Sequence, residues 1–277
     1  MKRLETIFTS IRQRGRAGLI TFSTAGDPDI ETSAKILQTL DKVGVDVLEV
    51  GVPFSDPLAD GPVIQRASER ALKSGANLTN TLEMIRDVRD NIRAGIVLFT
   101  YSNPVVRMGL ERFATTAASA GVDGVLILDL PIEESREFHD VAISADIAPI
   151  FLLSPTTSEA RIDRAAELGR GFLYGISRLG VTGVQAEVAS NVDALVRRIR
   201  GRTDMPLALG FGVSKPEHVA EIGQIADAVV VGSGLVDVIA RSDPKELLLN
   251  VENYIMWLLK KNQGDFAQAE QSENNES

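Results

Sequence analysis

The chain of 277 residues contains no cysteine. That removes disulfides, thiolate nucleophiles and cysteine-bound metals in one step, and it suits a reducing, cytoplasmic setting. Histidine is nearly as scarce. The two present, His139 and His218, fall in segments with helical periodicity and are read as surface helix residues, so a cluster of imidazole metal ligands is excluded. Net positive charge is lacking too: 29 Lys and Arg face 38 Asp and Glu, a formal charge of -9. A nucleic acid or an anionic membrane is therefore a poor partner. No stretch approaches the roughly 20 apolar residues of a membrane span, and the basic N-terminus, Met1 to Arg16, has no apolar run of signal-peptide length.

What is present is one alternation, repeated. Short apolar runs occur at Gly18–Phe22, Val47–Gly51, Ile96–Tyr101, Gly124–Leu130, Pro149–Leu153, Phe172–Ile176, Leu207–Gly210 and Ala228–Gly232. They are rich in Val, Ile and Leu without strict polar alternation, as strands buried on both faces should be. Each is followed by an amphipathic segment. Eight such units predict an α/β fold, a closed (β/α)8 TIM barrel spanning residues 1–261 as a single domain. The pattern adds two helices to the plain barrel: one over Lys2–Arg14, and one over Pro62–Ser74 ahead of a second at Thr81–Arg93. A last helix is expected over Asp243–Lys261. Residues 262–277 carry four acids and no base, and are expected to form a disordered polar tail.

Punctuation agrees with this division. Ser214–Glu217 and Thr156–Glu159 have the spacing of capping boxes. Gly44, Gly75, Gly121 and Gly169 stand where helices should end. A faint internal repeat relates Val43-Gly-Val-Asp-Val-Leu-Glu-Val50 to Ala120-Gly-Val-Asp-Gly-Val-Leu-Ile127.

In this fold the chemistry sits at the C-terminal ends of the strands. None of the eight runs ends in a lysine, which excludes a Schiff-base mechanism at a strand end; Lys215 comes closest, at a helix start. Carboxylates remain. Glu49 interrupts an apolar strand, where an acid is costly to bury unless it is paired or keeps its proton. It is either a structural acid with a hydrogen-bond partner or a general acid/base. Asp56 and Asp60 follow in a loop with three prolines, which could equally be an ordinary turn. Asp129 ends the fourth run and could be catalytic or could simply order the next loop. Glycines gather at the ends of the last three strands: Gly180 and Gly183, Gly210 and Gly212, Gly232 and Gly234. Bare amides there, with the start of a short helix, suit a phosphate. By themselves these residues fit retro-aldol cleavage, epimerisation or isomerisation of a phosphorylated substrate.

The stretch Glu49-Val-Gly-Val-Pro-Phe-Ser-Asp-Pro-Leu-Ala-Asp-Gly-Pro62 resembles the signature of the tryptophan synthase alpha subunit family. Thr24–Pro28, Tyr101–Pro104, Gly121–Gly124, Asp129–Pro131, Ser177–Gly183 and Gly210–Ser214 extend the likeness over nearly the whole chain except the tail. The resemblance implies a carbon–carbon lyase that cleaves indole-3-glycerol phosphate to indole and glyceraldehyde 3-phosphate in tryptophan biosynthesis. It implies Glu49 as the acid/base and Asp60 as the acceptor of the indole N–H. It places Phe22, Tyr101, Leu126, Tyr174 and Thr182 in or under the indole pocket, and Gly183, Gly212, Gly232 and Ser233 at the phosphate. It implies a beta-subunit partner in an alpha2-beta2 heterotetramer. Pyridoxal phosphate is then expected in that partner and no cofactor in this chain. The contact rim would carry Pro53–Pro62 and Tyr101–Met108, with Val105, Val106 and Met108 as exposed apolar residues. A stand-alone lyase, or a catalytically weak activator of the beta subunit, would share much of this sequence. Two positions depart from the family pattern: Gly175, where a bulky aliphatic residue is usual, and Ser102, where Tyr or Ala is common.

Overall fold

The computed structural model describes residues 1–176, 185–210 and 212–259, with side chains outside 185–191. Thr182, Gly183 and the acidic tail lie outside the described residues.

The helix α1 (Lys2–Gln13) leads into β1 (Gly18–Thr24), α2 (Ile30–Lys42) and β2 (Val47–Gly51). Two helices follow β2, α3 (Pro62–Lys73) and α4 (Leu78–Val88), before β3 (Gly95–Thr100), α5 (Ser102–Met108) and α6 (Leu110–Ser119). Next come β4 (Gly124–Ile127), α7 (Arg136–Ser144), β5 (Ala148–Ile150), β6 (Leu152–Leu153) and α8 (Glu159–Leu168). The chain continues through β7 (Leu173–Ile176), α9 (Gln185–Arg200), β8 (Leu207–Gly210), α10 (Pro216–Gly223), β9 (Ala228–Val231) and α11 (Ser233–Arg241). Residues 247–259 are helical.

The strand order is β5-β4-β3-β2-β1-β9-β8-β7-β6, with every pairing parallel. The predicted fifth run is split at Phe151 into β5 and β6, one pairing with β4 and the other with β7. Phe151 itself accepts the amide of Tyr174 at 3.0 Å. The linear order therefore closes on itself, and the architecture is the (β/α)8 barrel. Both added helices are present.

The two capping boxes are corrected. The helix α8 is capped by Ser158, whose hydroxyl accepts from the Arg161 amide, while Thr156, the expected cap, pairs with the Ser154 hydroxyl instead. The helix α10 starts from Lys215, one residue later than expected, with Pro216 in its first turn and no side-chain cap. The histidines are also less exposed than expected. The His139 side chain is 12% accessible and bonds Asp140, and His218 Nδ1 accepts from the Ser214 amide.

The sequence repeat has a structural cause. Asp46, Asp123 and Asp227 stand one residue before β2, β4 and β9. Each carboxylate accepts a backbone amide from a neighbouring strand: Leu19 at 2.8 Å, Ile96 at 2.9 Å and Leu207 at 2.8 Å. Each also takes an arginine from α1 or its end: Arg14, Arg3 and Arg12 respectively. Between those arginines α1 sends Leu4, Phe8 and Ile11 into the barrel floor. They form one cluster with Ile20, Val47, Val97, Leu126, Ile150 and Phe172, and the Phe8 and Phe172 rings lie 5.2 Å apart. Phe8 is 2% exposed, so truncating it leaves a void that the rigid strands cannot close. Phe8→Ala should lower the unfolding free energy by about 3–5 kcal/mol in urea titrations. A loss below about 1 kcal/mol would mean that α1 does not hold the floor.

Candidate active site

Inward-facing residues rise up the barrel in steps of two, because strand side chains alternate. Above the floor residues Ile20, Val47, Val97, Leu126, Ile150 and Phe172 come Phe22, Glu49, Phe99, Leu128, Leu152 and Tyr174. This second set lines a cavity of about 630 Å³, within the usual range for a small-molecule site. The rest of its wall is Leu58–Ile64 from the β2 loop and α3, Ile176, Val230, and Gly212, Gly232 and Ser233 at the far rim. Leu126 is buried in the floor beneath, and Leu128, one step higher, lines the cavity in its place. Phe99, Leu128 and Leu152 were legible from the same period of two, counted up from the apolar runs.

Glu49 is 1% exposed, and among the described residues neither carboxyl oxygen has a hydrogen-bond partner. Phe22 stands beside it in register on β1. There is room for that ring because residue 51 is glycine: a Cβ there would come within 2.5 Å of it. Burial raises the Glu49 pKa to about 8. Burial, and then the proximity of Glu49, push the Tyr174 phenol well above its ordinary value.

Asp60 reaches the same cavity from the β2 loop. The Tyr101 hydroxyl donates to its Oδ2 at 3.0 Å and accepts from the Ala59 amide at 3.1 Å. The Tyr101 ring is stacked on Phe54 at 5.0 Å. Burial raises the Asp60 pKa, and the Tyr101 bond offsets only part of that rise. The two carboxyls therefore differ in kind. Glu49 is unsupported and keeps its proton, whereas Asp60 has a donor that favours the anion. Asp56 points elsewhere: it is exposed and accepts from Ser55.

The opposite rim is built from backbone. Gly232 caps α11, whose first amides have no partner within the helix. Gly212 holds φ +74°, a conformation that favours glycine. These amides and the Ser233 hydroxyl form a cradle suited to a phosphate dianion. Gly175 does not touch the cavity. It faces the helix layer, and a Cβ there would come within 2.4 Å of Leu209, which fills the space a larger residue would use.

A barrel with a protonated buried glutamate, a supported aspartate and a helix N-terminus across one cavity belongs to the phosphosubstrate lyases and isomerases. Comparison with known proteins narrows the class. The chain belongs to the tryptophan synthase alpha chain family, whose description it matches over residues 8–265. It is 47% identical over 247 residues to the tryptophan synthase alpha chain of Geotalea daltonii, covering 89% of this chain and 94% of that one. It is 48% identical over 236 residues to that of Geotalea uraniireducens, covering 85% and 88%. Among solved structures it is similar to a chain of the tryptophan synthase α2β2 complex from Pyrococcus furiosus. The TM-score there is 0.82 at 37% identity, covering 88% of this chain and 98% of that one. A Mycobacterium tuberculosis tryptophan synthase chain gives 0.81 at 34%, covering 91% and 98%. The family's reaction is a lyase step, cleavage of indole-3-glycerol phosphate in tryptophan biosynthesis.

The state of Glu49 has a consequence for stability. Its folded pKa of about 8 lies above the ordinary 4.5. Between those values the folded chain holds a proton that the unfolded chain has released, so stability falls as pH rises, by up to about 1.4 kcal/mol per pH unit. Glu49→Gln removes this slope. In urea titrations the variant should be more stable than the parent at pH 8, with the advantage shrinking toward pH 5. A difference independent of pH would show that Glu49 is ionised in the folded protein.

Proposed function

We propose that Glu49 and Asp60 carry the cleavage, with Glu49 as a proton shuttle and Asp60 as the electrostatic partner of the indole ring. The observation that supports this most is the unpartnered Glu49 carboxyl, buried against apolar side chains and open to the cavity that Asp60 also lines. The protonated acid delivers its proton to the ring carbon C3, leaving a cationic indolenine. Asp60, ionised and bonded by Tyr101, accepts from the ring N–H and stabilises that charge. The Glu49 carboxylate so formed then takes the proton of the side-chain hydroxyl. The bond between C3 and the side chain breaks, its electrons return to the ring, and the new carbonyl leaves as glyceraldehyde 3-phosphate. Glu49 ends protonated, as it began.

Phe22, Phe99, Leu128, Leu152 and Tyr174 are the walls for the flat indole. Gly212, Gly232 and Ser233 are the seats for the phosphate, placed so that binding energy at one end fixes the reacting carbon at the other. Thr182 and Gly183 belong to the same scheme on the resemblance alone. The barrel of residues 1–261 is the working unit, acting in the cytoplasm, where a cysteine-free biosynthetic enzyme belongs.

The partner in this reading is a β subunit, as in the α2β2 complex of the Pyrococcus furiosus relative. Pyridoxal phosphate is assigned to that partner on the resemblance; among the described residues the cavity lining carries no lysine to form its Schiff base. The contact rim is revised. Val105 is 2% exposed and Met108 packs on the core, so of the three apolar residues only Val106, 75% exposed, is offered to a partner. Leu58, 91% exposed on the β2 loop, joins it.

Glu49→Gln should reduce indole release by about 10²–10⁴-fold while substrate binding stays measurable by calorimetry. Asp60→Asn should also be severely impaired, and Asp56→Asn mild. Near-normal turnover of Glu49→Gln would end the mechanism. For the partner, adding β subunit should accelerate indole release by the parent, and Val106→Asp should abolish the acceleration while the basal rate stands. A parent already at full speed alone would favour the stand-alone lyase.

A further inference from the structure

Tyr101 is the only side chain among the described residues that bonds the Asp60 carboxylate, so whatever fixes Tyr101 also fixes Asp60. The residue after it, Ser102, opens α5. That helix has no cap from its own Ncap residue. Its first amide is satisfied instead from another strand: Asp129, two residues beyond the end of β4, accepts the Ser102 amide at 2.6 Å and the Ser102 hydroxyl at 2.8 Å. Both bonds are short and end on a carboxylate, the stronger kind of hydrogen bond. Held by both its main chain and its side chain, Ser102 has little freedom to swing or slide. The peptide joining Tyr101 to Ser102 is thereby pinned to the end of β4.

The β2 loop needs such an anchor. Ser55, Asp56, Leu58 and Ala59 are exposed. The carboxylate of Asp60 meets the barrel through Tyr101, and its backbone carbonyl is tied to Gln65 on the neighbouring α3. A series of contacts thus runs from the end of β4 to the loop: Asp129 to Ser102, Ser102 to Tyr101 through the chain, Tyr101 to Asp60. Asp129 does not line the cavity, so it has no place among the groups that touch substrate.

We infer that Asp129 and Ser102 are positioning residues for the cleavage, holding Tyr101 so that its hydroxyl keeps Asp60 aimed into the cavity. The inference rests on the catalytic role given to Asp60 above. Because Asp129 acts on the orientation of a group needed in the transition state, its loss affects kcat more than KM.

The test is a double-mutant cycle on the full chain, with indole release from indole-3-glycerol phosphate as the readout. Asp129→Ala should lower kcat by roughly 3- to 10-fold, the scale of one or two hydrogen bonds, with KM within about twofold. Ser102→Ala, which keeps the fold and half of the latch, should show a smaller loss in the same direction, and Ser102→Thr should restore activity. In a Tyr101→Phe background, where the hydroxyl is already gone, Asp129→Ala and Ser102→Ala should each change kcat by less than about twofold, because residues acting through one another are not additive. An equal loss in both backgrounds, or a melting-temperature drop with kcat unchanged, overturns the positioning role. Failure of the parent itself to release indole would overturn the catalytic reading on which this rests, and that outcome is separate.

Discussion

An eight-stranded barrel has an interior that side chains must fill, and here the filling is done from one end. The α1 residues Leu4, Phe8 and Ile11 close the floor together with the first inward layer of the strands. Because the floor is complete, the next layer up has no packing duty to its centre and can be a wall instead. The cavity exists because the layer beneath it is solid. Glu49 stands at the lowest level of that wall, next to Phe22, where apolar neighbours surround it and water has little access. Its retained proton follows from its height in the barrel as much as from its chemistry.

The same geometry separates two acids that a sequence cannot distinguish. Glu49 is carried by a strand, so its backbone is fixed on both sides by parallel pairing with β1 and β3. Asp60 is carried by a loop and depends on a phenol from the next strand end. One group is rigid and unsolvated; the other is adjustable and supported by a donor. A reaction that needs an acid first and an anion beside a developing cation is well served by that difference, and it requires no metal-binding residues from the chain.

Much of this could be read before any coordinates. Eight Val/Ile/Leu-rich runs pointed to the barrel, and the acid inside one of them lines its cavity. The gains stop where identity depends on exact position. Period-two alternation fixes which residues face inward but not which level they occupy: the resemblance put Leu126 in or under the pocket, and it lies under, with Leu128 one step higher in the wall. The residues after Tyr101 read as a strand-end loop but form the helix α5, in which whether Val105 or Val106 faces out turns on one step of about 100°. Capping boxes failed for a similar reason: neighbouring Ser and Thr side chains compete for the same partners, and Thr156 was drawn to Ser154 while Ser158 took the cap. Asn77 and Asn80, which do form a reciprocal box at α4, carry side chains that suit turns as readily as caps. Asp46 and Asp123 were visible as a repeat and Asp227 was not, and the meaning of all three lay in the arginines of α1 and its end.

Those aspartates bear on how the protein is made. Arg12 meets Asp227 across 215 positions of sequence, and Arg3 meets Asp123 across 120. The helix α1, made before any of the strands, therefore has its docking site completed only by β9, the last of the described strands. Until β9 is synthesised and paired, Leu4, Phe8 and Ile11 have only a partly built floor to enter. Contacts this distant in sequence are slow to form and leave apolar surface uncovered in the meantime. The nascent barrel would thus carry a temporary patch at the end where α1 docks, a natural target for chaperones, and α1 would be its final bolt although it is made before every strand.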